Sequence, residues 1–188
     1  EIRARSAVDV IGGIEPGAEA AAAATQKKNV VVLGTDATIG SHAYRRALER
    51  KGIAVHEKAC PLFVPLVEEG WTEHTVTEQV ARIYLTEAFS GGSHDADVLV
   101  LGCTHYPLIK PVLRRVAPAH VTIVDSAEST AHAVAKQLQI SPVPNQAAQK
   151  LAPSLRFFAT DSAEKFRKMG TRFLGHPVED VMHVDLKE

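Results

Sequence analysis

The chain has no excess of charge of either sign. Its 188 residues carry 21 Lys and Arg against 22 Asp and Glu, a formal charge of −1, so it lacks the basic footprint expected of a nucleic-acid or anionic-membrane binder. Small ligands or proteins are the expected partners. No apolar run approaches the roughly 18 residues of a membrane span, and the opening E-I-R-A-R-S-A has no signal-peptide core. No membrane association is expected, and the location expected is cytoplasmic. With only two cysteines, Cys60 and Cys103, a disulfide framework is excluded, which leaves catalysis or packing. No metal is expected either. Cys103 and His105 have no second ligand pair at zinc spacing, and His42, His56 and His94 are scattered along the chain. No Gly-Lys-Ser/Thr follows Gly34, which excludes a P-loop. An initiator methionine is also lacking, which gives the expectation that residues precede Glu1.

What is present is a hydrophobic content of 45%, enough for the core of one good-sized domain or two small ones. Apolar, β-branched runs at 8–14, 30–34, 53–57, 97–102, 121–124 and 155–159 alternate with segments of helical period. That alternation predicts βαβ units and a parallel sheet, hence an α/β fold. Pro16 suits the first turn of a helix through Ala18–Ala24, closed by Lys27, Lys28 and Asn29. Ser41 is expected to cap the next helix, with Ala43, Ala47 and Leu48 inward and Gly52 past its end. A longer helix from Thr75 is expected to turn Val76, Val80, Ile83, Tyr84 and Ala88 inward. A short helix over 107–116 and one capped by Asp125-Ser126 follow. The proline-bearing stretch 139–153 reads as a linker. Beyond it lie a strand, an Asp-Ser cap and a helix with Phe166, Met169 and Phe173 facing in.

The chemistry concentrates at D-V-L-V-L-G-C-T-H-Y-P-L-I-K-P, residues 97–111. A cysteine here sits at the carboxyl end of a buried parallel strand, where open α/β sheets place ligands. Backbone N–H groups of the following helix favour its thiolate, and the His105 imidazole can exchange protons with it. The alternative is an inert buried cysteine beside a packed histidine. Thr35 and Thr38, in G-T-D-A-T-I-G-S, either bind an anionic group before a helix N-terminus or serve only as caps. The stretches V-V-L-G-T-D-A-T and L-V-L-G-C-T-H-Y echo one another, as βα units often do. Cys60, in A-C-P-L-F-V-P-L-V-E-E-G, reads as a packing residue. Glu68 at the end of that run either reaches His105 and sets its tautomer or faces water.

Together, G-C-T-H-Y-P-L-I, G-T-D-A-T-I-G-S-x-x-Y, A-C-P-L-F-V-P-L-V-E-E-G, V-I-G-G-I-E-P-G and F-F-A-T-D-S-A-E-K-F resemble the glutamate racemases of the aspartate/glutamate racemase superfamily, over nearly the whole chain. The resemblance implies cofactor-independent racemisation of glutamate by two thiols, supplying D-glutamate for peptidoglycan. It implies Cys103 as one thiol, His105 assisting it, Glu68 supporting His105, and Thr35, Thr38, Thr104 and His105 lining the substrate site. Cys-Asn-Thr-Ala and Asp-Ser-Gly segments, which carry the other thiol and a further substrate contact in that family, do not occur in this sequence. Roughly the first third of a family member is thus expected to be missing, and a protein of these residues alone is expected to be inactive. The implied architecture is a two-lobe parallel-sheet sandwich: 1–14 a remnant of the first lobe, 15–131 the complete second lobe, 132–188 a linker and return segment. Members are commonly dimers, so a homodimer is among the expectations, although no residue marks its face. The rivals are a racemase for aspartate or another amino acid and a non-catalytic protein binding an acidic ligand.

Overall fold

The computed structural model describes residues 2–139 and 155–186, which fall into two compact units, Glu1–Ile140 and Ser141–Glu188. The first is built on a four-stranded parallel sheet ordered β2-β1-β3-β4. In chain order it comprises α1 (Ile2–Arg5), α2 (Ile14–Ala24), β1 (Asn29–Gly34), α3 (Asp36–Gly40), α4 (Ala43–Glu49), β2 (Ala54–Ala59), α5 (Phe63–Glu69), α6 (Thr75–Ala88), β3 (Val98–Leu101), α7 (Lys110–Val116), β4 (Thr122–Asp125) and α8 (Ser126–Gln137). Short 3₁₀ turns at Gly91–Ser93 and Tyr106–Ile109 complete it.

β1 and β3 are buried along their whole length, because both sheet faces are covered and a parallel strand so placed needs apolar side chains at every position. On one face Val30, Val32, Val98 and Val100 meet α2 and α4 through Ala18, Ala21, Tyr44, Ala47 and Leu48. On the other, Val31, Leu33, Leu99 and Leu101 meet Phe63, Val67, Ala81, Leu85, Ile109 and Leu113 of α5, α6 and the β3–β4 connection. The alanine run of α2 is therefore a close-packing surface.

The expected α/β class and parallel sheet are found, with four corrections. Residues 8–13 form no strand and Ile14 already opens α2; Val8 is 75% exposed, since the segment joins no strand of the sheet and an apolar run alone does not fix its structure. Thr35 caps an additional short helix, α3, by accepting from Thr38 N, while Ser41 meets the start of α4, its Oγ accepting from Ala43 N at 3.3 Å. Consequently α4 begins after His42, in the left-handed region at φ 49°, and Tyr44 rather than Ala43 joins its buried face. In α6 the buried face is Thr77, Ala81, Leu85 and Ala88, whereas Val76 and Ile83 are 37% and 58% exposed. Small residues let this helix approach the sheet closely, and that requirement outweighs the pull of the larger apolar side chains.

The second unit contains β5 (Phe157–Ala159), α9 (Ala163–Leu174) and β6 (Val181–His183), with β5 and β6 parallel. Ser162 caps α9 by accepting from Lys165 N, and Gly175 ends it at φ 72°. Phe166 turns toward β5, its ring 6.0 Å from that of Phe157, yet it and Phe173 each stay 38% exposed, because the described unit offers α9 only the thin β5–β6 pair to pack on. β6 escaped the sequence reading, three residues being too short for a period. The linker reading of 139–153 lies outside the described residues apart from Gln139.

Candidate functional site

β1 is followed in sequence by β2 on one side and in space by β3 on the other, so the chain reverses its winding direction between β1 and β3. At such a switch point the loops leaving the carboxyl ends diverge and open a crevice. Leu33 pairs with Leu101 at the top of the two strands. Thr35 therefore emerges beside Cys103, and Thr35, Thr38, Cys103, Thr104 and His105 are brought to one end of one sheet.

Gly102 makes this possible. Its N–H donates to the Leu33 carbonyl at 2.8 Å, and a Cβ there would lie 2.8 Å from that same oxygen, which only glycine avoids. The backbone then turns Cys103 to a half-buried position. Burial pushes the Cys103 thiol up, against the opposing pull of the His105 and Tyr106 backbone N–H groups and the Thr104 side chain. The N–H groups expected from the sequence are present; desolvation outweighs them.

The His105 ring lies between a thiol and a carboxylate. Its Nδ1 is 4.0 Å from Cys103 Sγ and 3.4 Å from Thr104 Oγ1, and its Nε2 is 3.7 Å from Glu68 Oε1. Glu68 occupies the last turn of α5, which Gly70 ends in the left-handed region at φ 84°. Of the two readings open for this glutamate, the one facing His105 is observed. Of the two readings of Thr35, capping is the one seen: its Oγ1 accepts from Thr38 N at 3.2 Å and lies 3.1 Å from Thr38 Oγ1, which sets the two hydroxyls side by side just past the carboxyl end of β1.

Cys60 lies at the carboxyl end of β2, fully buried. Its thiol is pushed up to about 12 by burial, its N–H donates to Gly34 O and its carbonyl accepts from Tyr106 Oη at 2.9 Å. The packing reading fits it. Tyr106 was not singled out from sequence, yet it ties the two strand-end loops together: its ring stands edge-on to Phe63 at 5.2 Å while its hydroxyl holds Cys60. The only signal was an aromatic directly after the cysteine-threonine-histidine run. His42, His56 and His94 form no cluster, and no group of three metal-ligating side chains exists among the described residues.

The model of the Asp/Glu/hydantoin racemases matches residues 1–134. The chain belongs to that family. Among its racemase relatives, a glutamate racemase from Koribacter versatilis (strain Ellin345) is 56% identical over 98% of this chain and 70% of its own length. The crystal structure of a glutamate racemase isoform from Bacillus anthracis superposes with a TM-score of 0.84 at 35% identity, over 98% of this chain and 68% of that one. A glutamate racemase from Francisella tularensis in complex with D-glutamate gives 0.77 at 30% identity, covering 96% of this chain and 65% of its own. The chain thus spans about two thirds of the length of these racemases.

Proposed function

We propose that this chain carries the Cys103 side of a cofactor-independent glutamate racemase that supplies D-glutamate for peptidoglycan. The observation that carries the reading is the line Cys103–His105–Glu68 at the β1–β3 switch point, with the Thr35–Thr38 pair at the neighbouring strand end. The names of the relatives favour glutamate over aspartate, and the family favours racemisation over passive binding.

In this reading glutamate lies across the crevice with its carboxylates on the hydroxyls of Thr35, Thr38 and Thr104. The Cys103 thiolate takes the Cα proton, the electron pair delocalises into the adjacent carboxylate, and a proton from the opposite face completes inversion. In the reverse direction Cys103 returns its proton to Cα. His105, held by Glu68, exchanges a proton with the thiol between turnovers. Inversion needs a second donor across the substrate plane. Cys60 does not serve, being sealed in the core with its thiol up at about 12; the family's Cys-Asn-Thr-Ala segment, not found in these 188 residues, would supply it. The two-lobe assignment, with 132–188 returning to the other lobe, belongs to the same proposal, as do a cytoplasmic location and a homodimer, the latter tested by sedimentation.

The test is conversion of L- to D-glutamate by the full-length protein without added cofactor, and its loss on Cys103→Ser by about 100-fold or more in kcat/KM, the scale of a general acid–base group. Full activity in the serine variant would remove Cys103 from the reaction, and binding of glutamate without conversion would favour the non-catalytic rival. The 188-residue chain alone is expected not to invert glutamate.

A further inference from the structure

We infer that Tyr44 is a positioning residue for Cys103: wedged between Gly17 and Gly102, its ring fixes the peptide from which Cys103 leaves the sheet. The inference rests on the reading of Cys103 as the proton-transferring thiol.

Tyr44 is 2% exposed and reaches from α4 across the carboxyl end of the sheet. A Cβ on Gly102 would stand 3.0 Å from Tyr44 Cε2, and a Cβ on Gly17 of α2 would stand 3.0 Å from Tyr44 Oη and 3.2 Å from Cε1. Both neighbours are glycines where any side chain would press on the ring, so the ring is gripped from two sides. Ser126 Oγ donates to the Leu101 carbonyl at 2.6 Å. The ring therefore bears on Gly102 and the Ser126 hydroxyl on Leu101, the two residues before Cys103. What this fixes is the direction in which the thiol leaves the sheet, and with it the thiol's alignment to the His105 and Tyr106 N–H groups that favour its charged form. Burial pushes the Tyr44 phenol up and the Cys103 thiol adds to this, so the hydroxyl stays protonated. No part of Tyr44 needs to touch substrate.

The test is the pH dependence of iodoacetamide alkylation at Cys103, read by peptide mass spectrometry on the 188-residue chain, for wild type, Tyr44→Leu and Gly17→Ala. Leucine removes the ring that bears on Gly102; alanine at position 17 crowds the ring from α2 and lies outside the thiol's own loop. Both variants are expected to move the alkylation midpoint to higher pH by about half a unit, about threefold slower reaction at a fixed pH below it. A lower melting temperature with an unchanged midpoint in both variants overturns the inference, because a packing role alone would give that. Gly17→Ala keeps the test open if Tyr44→Leu does not fold. Alkylation needs no substrate, so a failed racemisation assay beside a shifted midpoint would sink the functional reading and leave the positioning role standing.

Discussion

The loops that follow β2 and β3 both carry a cysteine within two residues of the strand end, on either side of β1. After β2 the cysteine comes at once: Cys60 is sealed in the core, its backbone tied to Gly34 and Tyr106. After β3 one glycine intervenes, bends the backbone against Leu33 O, and delivers Cys103 half-buried beside the His105 and Tyr106 N–H groups. The two thiols therefore differ in charge cost as well as in access. A strand-end position is not what makes a cysteine reactive; access and neighbours that favour the thiolate are.

The sharpest way to break this contrast is to remove each sulfur in turn in the full-length protein. Against the loss set above for Cys103→Ser, Cys60→Ser is expected to keep kcat/KM near wild type while losing about 1–3 kcal/mol of stability, the cost of an ill-satisfied buried hydroxyl, checked by urea unfolding. Activity lost equally in both variants would erase the distinction between the loops. Next in size, Glu68→Gln takes the carboxylate 3.7 Å from His105 Nε2 out of the reactive loop's supporting line. A fall of about tenfold in kcat is expected, about 1.4 kcal/mol of lost transition-state stabilisation, with KM little changed.

Tyr106→Phe tests the tie between the loops. It leaves the buried Cys60 carbonyl without its hydroxyl partner and is expected to cost about 1–2 kcal/mol, read as a lower urea midpoint at unchanged slope. A pH slope sharpens the contrast further. The Cys60 thiol is raised in the fold to about 12 from about 8.5 in the unfolded chain, so the fold holds its proton more tightly. Its contribution to stability is complete below the unfolded value and is lost as pH rises from there through the folded one. Unfolding free energy measured against pH should fall across that window, and Cys60→Ala should flatten the fall.

The strands were legible because parallel strands buried on both faces leave continuous β-branched runs, as in Val30–Leu33 and Val98–Leu101. The site residues could be singled out because strand, glycine and reactive side chain follow one another without interruption at 102–105. Less legible was whatever depends on a partner distant in sequence. The inner face of α6 is set by how near the helix must come to the sheet, which is why Ala81 goes in and Ile83 out. The Cys103 thiol is raised rather than lowered because burial, invisible in a local motif, outweighs the N–H groups that the motif does announce. Tyr44 and Tyr106 act through Gly17, Gly102 and Cys60, contacts that no spacing rule discloses.

The most direct test of the central claim, that Cys103 and not Cys60 moves the substrate proton, is deuterium incorporation at Cα of L- and D-glutamate in D₂O, followed by NMR for the full-length wild type, Cys103→Ser and Cys60→Ser. Wild type and Cys60→Ser are predicted to incorporate deuterium with inversion at similar rates, and Cys103→Ser to lose inversion. Inversion that survives in Cys103→Ser, or disappears in a folded Cys60→Ser, would contradict it.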